Sequence, residues 1–289
     1  MLIRLGYDIE LQLQKPATIV AMLNVHPSRM PDLREPDAMQ ISPPAERSQY
    51  PDCFGNLCTL ITALEGPLRL RNSTLIEDSG LTDASDWNAP QTPIENLPPE
   101  TMQFFLSSRY CEVDRLSEIA WELFGHIPPG WPRAQAVCDW VYYYVTFGAQ
   151  FARSTRTAVD TYNERQGISR DFQHLAITFC RALHMPARYA TGYLGPIGVP
   201  PSDGPIDFSS WYEVWLGDRW WSFDARYQQP RIGRILMTTG RDAADVAPVT
   251  VFGPSTPGRF SVITEELSDQ SAGEEETAEA EITLDPALP

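Results

Sequence analysis

The strongest hydrophobic pattern in the chain lies between residues 169 and 183. Apolar residues recur there at intervals of three and four, as on one face of a helix. They are Phe172, Leu175, Ala176, Phe179 and Leu183. The pattern predicts a helix with a buried apolar side that begins at Ser169, just after Gly167, and ends before Met185-Pro186.

The start of this helix is a candidate position for a nucleophile. The first backbone N–H groups of a helix have no partner within it, and the positive end of the helix dipole lies there. Both features stabilise a thiolate or a developing oxyanion. The residue at this position is Ser169.

Strands are predicted after the helix. Residues 187–194 alternate between apolar and polar, and residues 207–226 read as a β-hairpin with a two-residue turn at Gly217-Asp218. The residues beyond the hairpin contain three further predicted strands, which we expect to complete the same sheet. These strands are 232–237, 249–252 and 259–264.

The hairpin carries one charged residue among aromatic ones. Trp211, Glu213 and Trp215 share a face, and we expect the two tryptophans to pack on the central helix. A carboxylate on such a face needs a partner, and Arg170 and Arg226 are the candidates. A structural ion pair is the favoured interpretation of Glu213.

Residues 1–81 are predicted to form a small amino-terminal β domain. Residues 3–14 alternate, 18–25 form a second apolar run, and Cys53–Leu57 resembles a hairpin turn. Short strands separated by proline-rich loops favour a sandwich or an open barrel.

The rest of the chain divides by composition. Residues 82–99 are polar, acidic and proline-rich, which indicates a linker. Residues 100–264 are predicted to form an α+β core domain, and residues 265–289 a disordered, solvated acidic tail. Helical periodicity within the core predicts three helices before the central one. Their ranges are 113–124, 131–145 and 157–165.

Charge and cysteine content narrow the function classes. The 289 residues carry a net charge of −16, and nine acidic residues from Glu265 onward account for more than half of it. A nucleic-acid partner is therefore not expected, because the chain has no concentration of positive charge that could bind phosphates.

No apolar run is long enough to span a membrane and no signal peptide is visible, so a cytoplasmic location is expected. Five scattered cysteines without a CxxC pair argue against disulfides and a zinc site, and no cofactor is expected.

Three segments resemble the transglutaminase-like superfamily, in its bacterial cysteine-protease-like branch. They are Gly167-Ile168-Ser169-Arg170-Asp171-Phe172, Ala187-Arg188-Tyr189-Ala190-Thr191-Gly192-Tyr193, and Trp211-Tyr212-Glu213-Val214 through Trp220 to Phe223-Asp224. The resemblance implies a papain/transglutaminase-like core, in which a helix bundle packs on an antiparallel sheet, with an amino-terminal β domain before it. It also implies a Cys-His-Asp triad.

Only the third triad position keeps the family residue. Serine stands at the cysteine position, Ser169, and at the histidine position, Ser209, whereas Asp224 is retained. The resemblance also makes four residues candidates for the walls of the binding cleft. They are Arg170, Trp211, Glu213 and Arg226.

A serine nucleophile needs a base, and Ser209 cannot be one. His174 lies five residues after Ser169, about 140° around the helix, so its side chain should point away from the nucleophile position. His184 fits a role at the helix carboxyl terminus, and the sequence does not place His26 or His126.

Three functions follow from this pattern. The favoured one is a pseudoenzyme that binds a peptide or protein in the inherited cleft. The second is an amide hydrolase or acyl transferase that uses Ser169 with an unidentified base, or whose cysteine was replaced by engineering. The third is a structural or assembly protein with a filled cleft. The sequence does not indicate an oligomeric state.

Overall fold

A computed structural model describes residues 1–200 and 207–267. Within these ranges, the amino-terminal third contains six strands and the remainder mixes helices with eight strands. The first six strands are β1 (Leu2–Leu13), β2 (Ala17–Ala21), β3 (Gln40–Ser42), β4 (Glu46–Pro51), β5 (Leu57–Ala63) and β6 (Gly66–Glu77). The later elements are α1 (Val113–Phe124), α2 (Trp131–Tyr144), β7 (Thr146–Phe147), α3 (Ala158–Glu164), β8 (Gln166–Gly167), α4 (Ser169–Ala182), β9 (Ala187–Leu194), β10 (Ser209–Leu216), β11 (Arg219–Phe223), β12 (Arg234–Gly240), β13 (Val249–Phe252) and β14 (Ser255–Leu267).

Two four-stranded antiparallel sheets enclose the amino-terminal core. Their strand orders are β14-β1-β6-β3 and β13-β2-β5-β4. Alternate residues of β1 point inward, which is the pattern expected of strands with one solvated face. Ile3, Leu5 and Ile9 share the buried core with Ile19 and Ile61. The turn at Cys53–Leu57 joins β4 to β5, as the sequence predicted.

The last two strands return to these amino-terminal sheets. β14 pairs with β1, and β13 pairs with β2. The expectation that these two strands complete the core sheet is therefore wrong, because each extends one of the amino-terminal sheets. Val262 of β14 is buried in the core between those sheets. Glu265–Leu267 also belong to β14, so these three residues of the predicted disordered tail form part of a strand. Residues 268–289 lie outside the described residues, and the domain limits stay predictions.

Helix α4 is the centre of the second core. Every residue from Asp171 to Ala182 is buried, because α1, α2 and α3 pack around the helix and the sheet β11-β10-β9-β12 covers its remaining side. The predicted α+β architecture, with helices on an antiparallel sheet, is confirmed. Among the described residues, none of the helices is both long and apolar enough to span a membrane.

The predicted packing of the hairpin face is reversed. Tyr212, Val214 and Leu216 are fully buried in the core that contains α4. Trp211 instead lies under the guanidinium of Arg234 on β12, 4.7 Å from ring centroid to Cζ. The expectation that Trp211 and Trp215 pack on the central helix was wrong, since that face also carries Glu213, whose burial against apolar helix residues would be costly.

The segment at 82–99 runs along the second core. The backbone carbonyl of Ala89 accepts a hydrogen bond from the backbone N–H of Trp131 at 2.9 Å. Thr92 Oγ1 donates to the carbonyl of Gly217 at 2.6 Å. These contacts attach the predicted linker to α2 and to the β10–β11 turn.

Candidate functional site

The start of α4 is held by a buried carboxylate. Asp171 is fully buried, and its Oδ2 accepts a hydrogen bond from the backbone N–H of Ile168 at 2.9 Å. Arg156 Nη1 lies 3.6 Å from Oδ2, and Arg170 Nε lies 3.4 Å from Oδ1. Burial raises the pKa of Asp171, while the Ile168 N–H and the two arginines act in the opposite direction. This arrangement fixes the loop that presents Ser169.

Gly167 makes room for that carboxylate. A Cβ atom at position 167 would lie 2.7 Å from Asp171 Cβ and 2.8 Å from its Oδ2. Gly167→Ala is therefore expected to destabilise the protein by about 1–3 kcal/mol, as other forced overpacking does. Urea unfolding would measure the loss. The adjacent half-buried Gln166→Ala should change stability by no more than about 0.5 kcal/mol, and an equal loss in both variants would contradict the clash.

Ser169 and Ser209 open onto one cleft. The cleft has a volume of about 850 Å³, and both serines line it together with Ser210 and Arg170. Aromatic and small apolar side chains form much of the remaining wall. They include Phe147, Tyr189, Phe208, Tyr227, Val246, Ala247, Pro248 and Phe260. The structure thus brings together the two positions that the resemblance assigned to the Cys-His pair.

Asp224 does not line the cleft, and its carboxylate is hydrogen-bonded to the side chain of Gln173. Gln173 Nε2 donates to Asp224 Oδ1 at 3.0 Å, and the backbone N–H groups of Arg226 and Tyr227 donate to the same oxygen at 3.0 and 3.3 Å. Gln173 Oε1 in turn accepts from the backbone N–H of Ala225 at 3.2 Å. The glutamine therefore fixes the carboxylate that would orient a histidine in the family's triad.

Removing the side-chain amide of Gln173 should destabilise the protein. Gln173→Leu keeps the side-chain volume but leaves the Ala225 N–H and one Asp224 acceptor site without a partner inside the core. We expect a loss of about 2–3 kcal/mol in the free energy of unfolding, which denaturant titration would measure. The matched variant Gln135→Leu, on a half-buried position of α2 with one side-chain bond to Asp139, should lose less than about 1 kcal/mol. Similar losses in both would show that Gln173 has no special role.

The second oxygen of Asp224 faces a buried arginine. Arg234 Nη1 lies 3.5 Å from Asp224 Oδ2, and Arg234 Nη2 lies 3.0 Å from Asp83 Oδ2. Asp83 also accepts from the backbone N–H of Arg231 at 2.9 Å. An Asp-Arg-Asp chain thus joins the 82–99 segment to the triad carboxylate.

Of the four residues predicted to form the cleft walls, one lines the cleft and three do not. Arg170 lines the cleft. Arg226 stacks its guanidinium on Phe147, which lines the cleft, at 3.7 Å, but is not itself part of the lining. Trp211 and Glu213 are buried and do not line the cleft.

The partner predicted for Glu213 is also corrected. Arg188, directly opposite on β9, donates to Glu213 Oε2 from Nε at 2.7 Å, and its Nη2 lies 2.6 Å from the same oxygen. Neither Arg170 nor Arg226 provides this contact. The structural ion pair expected for Glu213 is therefore present with a different arginine. Arg188 is the direct cross-strand neighbour of Glu213, whereas Arg170 lies on α4 and Arg226 lies beyond the end of β11.

The histidines have other contacts. His174 is fully buried, stacks on Tyr110, and accepts a hydrogen bond at Nε2 from the backbone N–H of Ala243. Its burial lowers its pKa well below the usual value, so the ring is neutral at physiological pH. His26 Nδ1 pairs with Ser28 Oγ, and His184 packs edge-on against Trp121. The cleft lining among the described residues contains no histidine.

Two buried cysteines are poor candidates for a nucleophile. Burial raises the pKa of the Cys111 thiol to about 11 and that of Cys138 to about 12, which makes both poor nucleophiles. Across residues 1–200 and 207–267, no cluster of three or more histidine, cysteine or acidic side chains has the geometry to hold a metal ion.

Sequence reasoning missed Gln173, Arg234 and Asp83. Gln173 lies four residues after Ser169 on the same helix, a spacing that places both side chains near one face, so its proximity was open to prediction. Asp83 and Arg234 meet across more than half of the chain. No local pattern signals such a pair.

Comparison with known proteins identifies the second core. Residues 120–225 match the family model of the transglutaminase-like superfamily. This region is a transglutaminase-like domain. The match includes Ser169, Ser209 and Asp224, so the positions inferred from the sequence lie within the domain that the family model covers.

Two other proteins resemble the chain. The crystal structure of a candidate cysteine protease from Cytophaga hutchinsonii has a TM-score of 0.79 and 28% identity, and covers 93% of this chain and 91% of that one. An uncharacterised protein from Mycobacterium leprae is 30% identical over 96 residues, which is 32% of this chain and about a third, 34%, of that protein. The first likeness extends over the amino-terminal sheets as well as the transglutaminase-like domain.

Proposed function

We propose that the transglutaminase-like domain is a pseudoenzyme that binds an extended peptide in the cleft beside Ser169. One observation carries the proposal: the cleft has serine at both positions of the Cys-His pair and no histidine in its described lining. A hydroxyl is a weak nucleophile unless a positioned base takes its proton in the transition state. The two serines provide no such base for each other.

The contacts of Asp224 support the same conclusion. One of its oxygens accepts from Gln173 and two backbone N–H groups, and the other faces Arg234. In a Cys-His-Asp site the carboxylate holds the imidazole in the productive orientation. Here its bonds connect α4 to the turn after β11, which is a structural role.

The cleft itself is suited to a peptide. Its wall combines aromatic and small apolar groups with the hydroxyls of Ser169, Ser209 and Ser210. Ligand sites are commonly built in this way, with apolar contact area and a few polar groups that fix orientation. The expected cytoplasmic location remains part of the proposal.

Binding and turnover assays test this function. A panel of unstructured peptides should bind to the natural protein, and Ser209→Trp should weaken binding by about tenfold or more by filling the cleft. Ser48→Trp, on the exposed strand β4, is the matched control and should leave binding unchanged. Peptide hydrolysis by the natural protein that disappears in Ser169→Ala would contradict the pseudoenzyme proposal.

A second candidate function rests on Asp207. This carboxylate also lines the cleft, and burial raises its pKa, which is the direction that a carboxylate base requires. An active hydrolase would then use Ser169 as nucleophile and Asp207 as base. This alternative requires turnover by the natural protein that is lost in both Ser169→Ala and Asp207→Asn.

A further inference from the structure

A cluster of arginines lies on the outer face of the β14-β1-β6-β3 sheet, and none of them lines the cleft beside Ser169. Strand β6 supplies Arg69 and Arg71, and strand β14 supplies Arg259. They surround Asp8 of β1, whose neighbours across the sheet are Arg71 on one side and Ser261 on the other. We call this set the arginine face.

One carboxylate is shared among the three guanidinium groups. Asp8 Oδ2 lies 2.6 Å from Arg69 Nη2, but 3.9 Å from Arg71 Nε and 3.8 Å from Arg259 Nη1. Glu10 adds a second carboxylate, 3.6 Å from Arg69 Nε. Arg69 is therefore well neutralised, whereas Arg71 and Arg259 have only long contacts with a carboxylate that already has a closer partner.

These two arginines project into solvent beside a groove. Their side chains are 56% and 61% exposed, against 38% for Arg69. The groove has a volume of about 700 Å³, and Arg71, Arg259, Gln40, Ser73 and Ser261 contribute to its lining. Ile263 also lines the groove, and it lies opposite Gly6 in the sheet, as Ser73 does on the other side.

The segment that follows β14 has the opposite charge. Residues 268–289 contain seven acidic residues and no lysine, arginine or histidine. This segment starts directly after Leu267, at the end of the strand that carries Arg259. Its 22 residues can span up to about 75 Å, and Arg259 lies roughly 26 Å back along the strand from Leu267.

We propose that the acidic segment 268–289 docks on the arginine face of its own chain. Charge complementarity favours this occupant, and the covalent link gives it a high effective concentration that a separate acidic protein would lack. Asp8 and Glu10 set the position of the guanidinium groups, and Arg71 and Arg259 supply the contacts to the incoming carboxylates. The outer face of this sheet is thus an intramolecular binding surface.

Limited proteolysis of the full-length protein tests the docking. A glutamate-specific endopeptidase, followed by mass spectrometry, reports the cleavage rate at Glu274, Glu279 and Glu281. The double variant Arg71→Gln, Arg259→Gln should release the segment and raise these rates roughly threefold or more at low salt, because two exposed charge contacts are lost. Arg71→Lys with Arg259→Lys keeps the charge and should retain most of the protection.

The matched control removes the same charge elsewhere. Arg34→Gln with Arg219→Gln changes two exposed arginines outside the arginine face and should leave the rates unchanged. High salt should speed cleavage in the natural protein but not in the Arg71, Arg259 variant, since charge contacts on the surface are screened. Equal rates in all variants would overturn the proposal. Protection that increases with protein concentration would also overturn it, because the occupant would then belong to a second copy.

Discussion

The double variant Ser169→Cys, Ser209→His is expected to contain a thiol that ionises well below the usual cysteine range. An unperturbed thiol has a pKa of about 8.5, and a helix amino terminus with an adjacent imidazolium lowers it by about two units or more. Because Ser169 begins α4 and shares the cleft with Ser209, both influences should act together. The pH dependence of iodoacetamide alkylation would show the change as a midpoint near 6–7.

A serine outside the cleft provides the control. Ser169→Cys with Ser48→His introduces the same two residue types, but Ser48 lies on the exposed strand β4 and does not line the cleft. Its midpoint should stay close to that of Ser169→Cys alone. Matching midpoints for the two double variants would mean that position 209 is not the histidine position of this domain, and the pseudoenzyme proposal would lose its main support.

Arg181→Met is expected to cause the largest loss of stability. Arg181 is buried inside the second core, and its guanidinium donates to the backbone carbonyls of Ala187, Leu106 and Arg241. Methionine fills a similar space but leaves all three acceptors without a donor. A loss of about 3–5 kcal/mol in the free energy of unfolding should follow, a large part of the usual stability of a domain.

Chemical denaturation would measure this loss, with a variant of an exposed arginine as the control. Arg115→Met removes a side chain that is 59% exposed and pairs with Glu112, the residue just before α1, so its effect should remain below about 1 kcal/mol. A change below about 1 kcal/mol in Arg181→Met would contradict the assignment, because water or a rearranged backbone would then satisfy the three carbonyls.

Local patterns predicted the parts of the fold in which neighbours in sequence decide the structure. The apolar spacing around Phe172 and Phe179 determined α4, and the Gly217-Asp218 turn determined the hairpin. Short-range geometry was sufficient for these elements and for Ser169, which lies at a helix start. Ser209 was placed only by the resemblance to the transglutaminase-like superfamily.

Long-range choices were the ones that failed. Alternation shows that the hairpin has two faces, but it does not show which of them contacts α4. Nor does it show that Arg188, on the adjacent strand, is the partner of Glu213. In both cases the answer depended on contacts between segments distant in sequence, where single-residue preferences carry little information.

The position of β14 has a consequence for how the protein folds. β1, the first strand of the described chain, pairs along most of its length with β14, near the other end. Such a pairing closes a very long loop before it gains any contact, and chains dominated by non-local pairing fold slowly. During synthesis, the edge of β1 that pairs with β14 should therefore remain open until β14 has left the ribosome. Chaperone dependence should be greatest in that interval, since an open strand edge can pair with other chains.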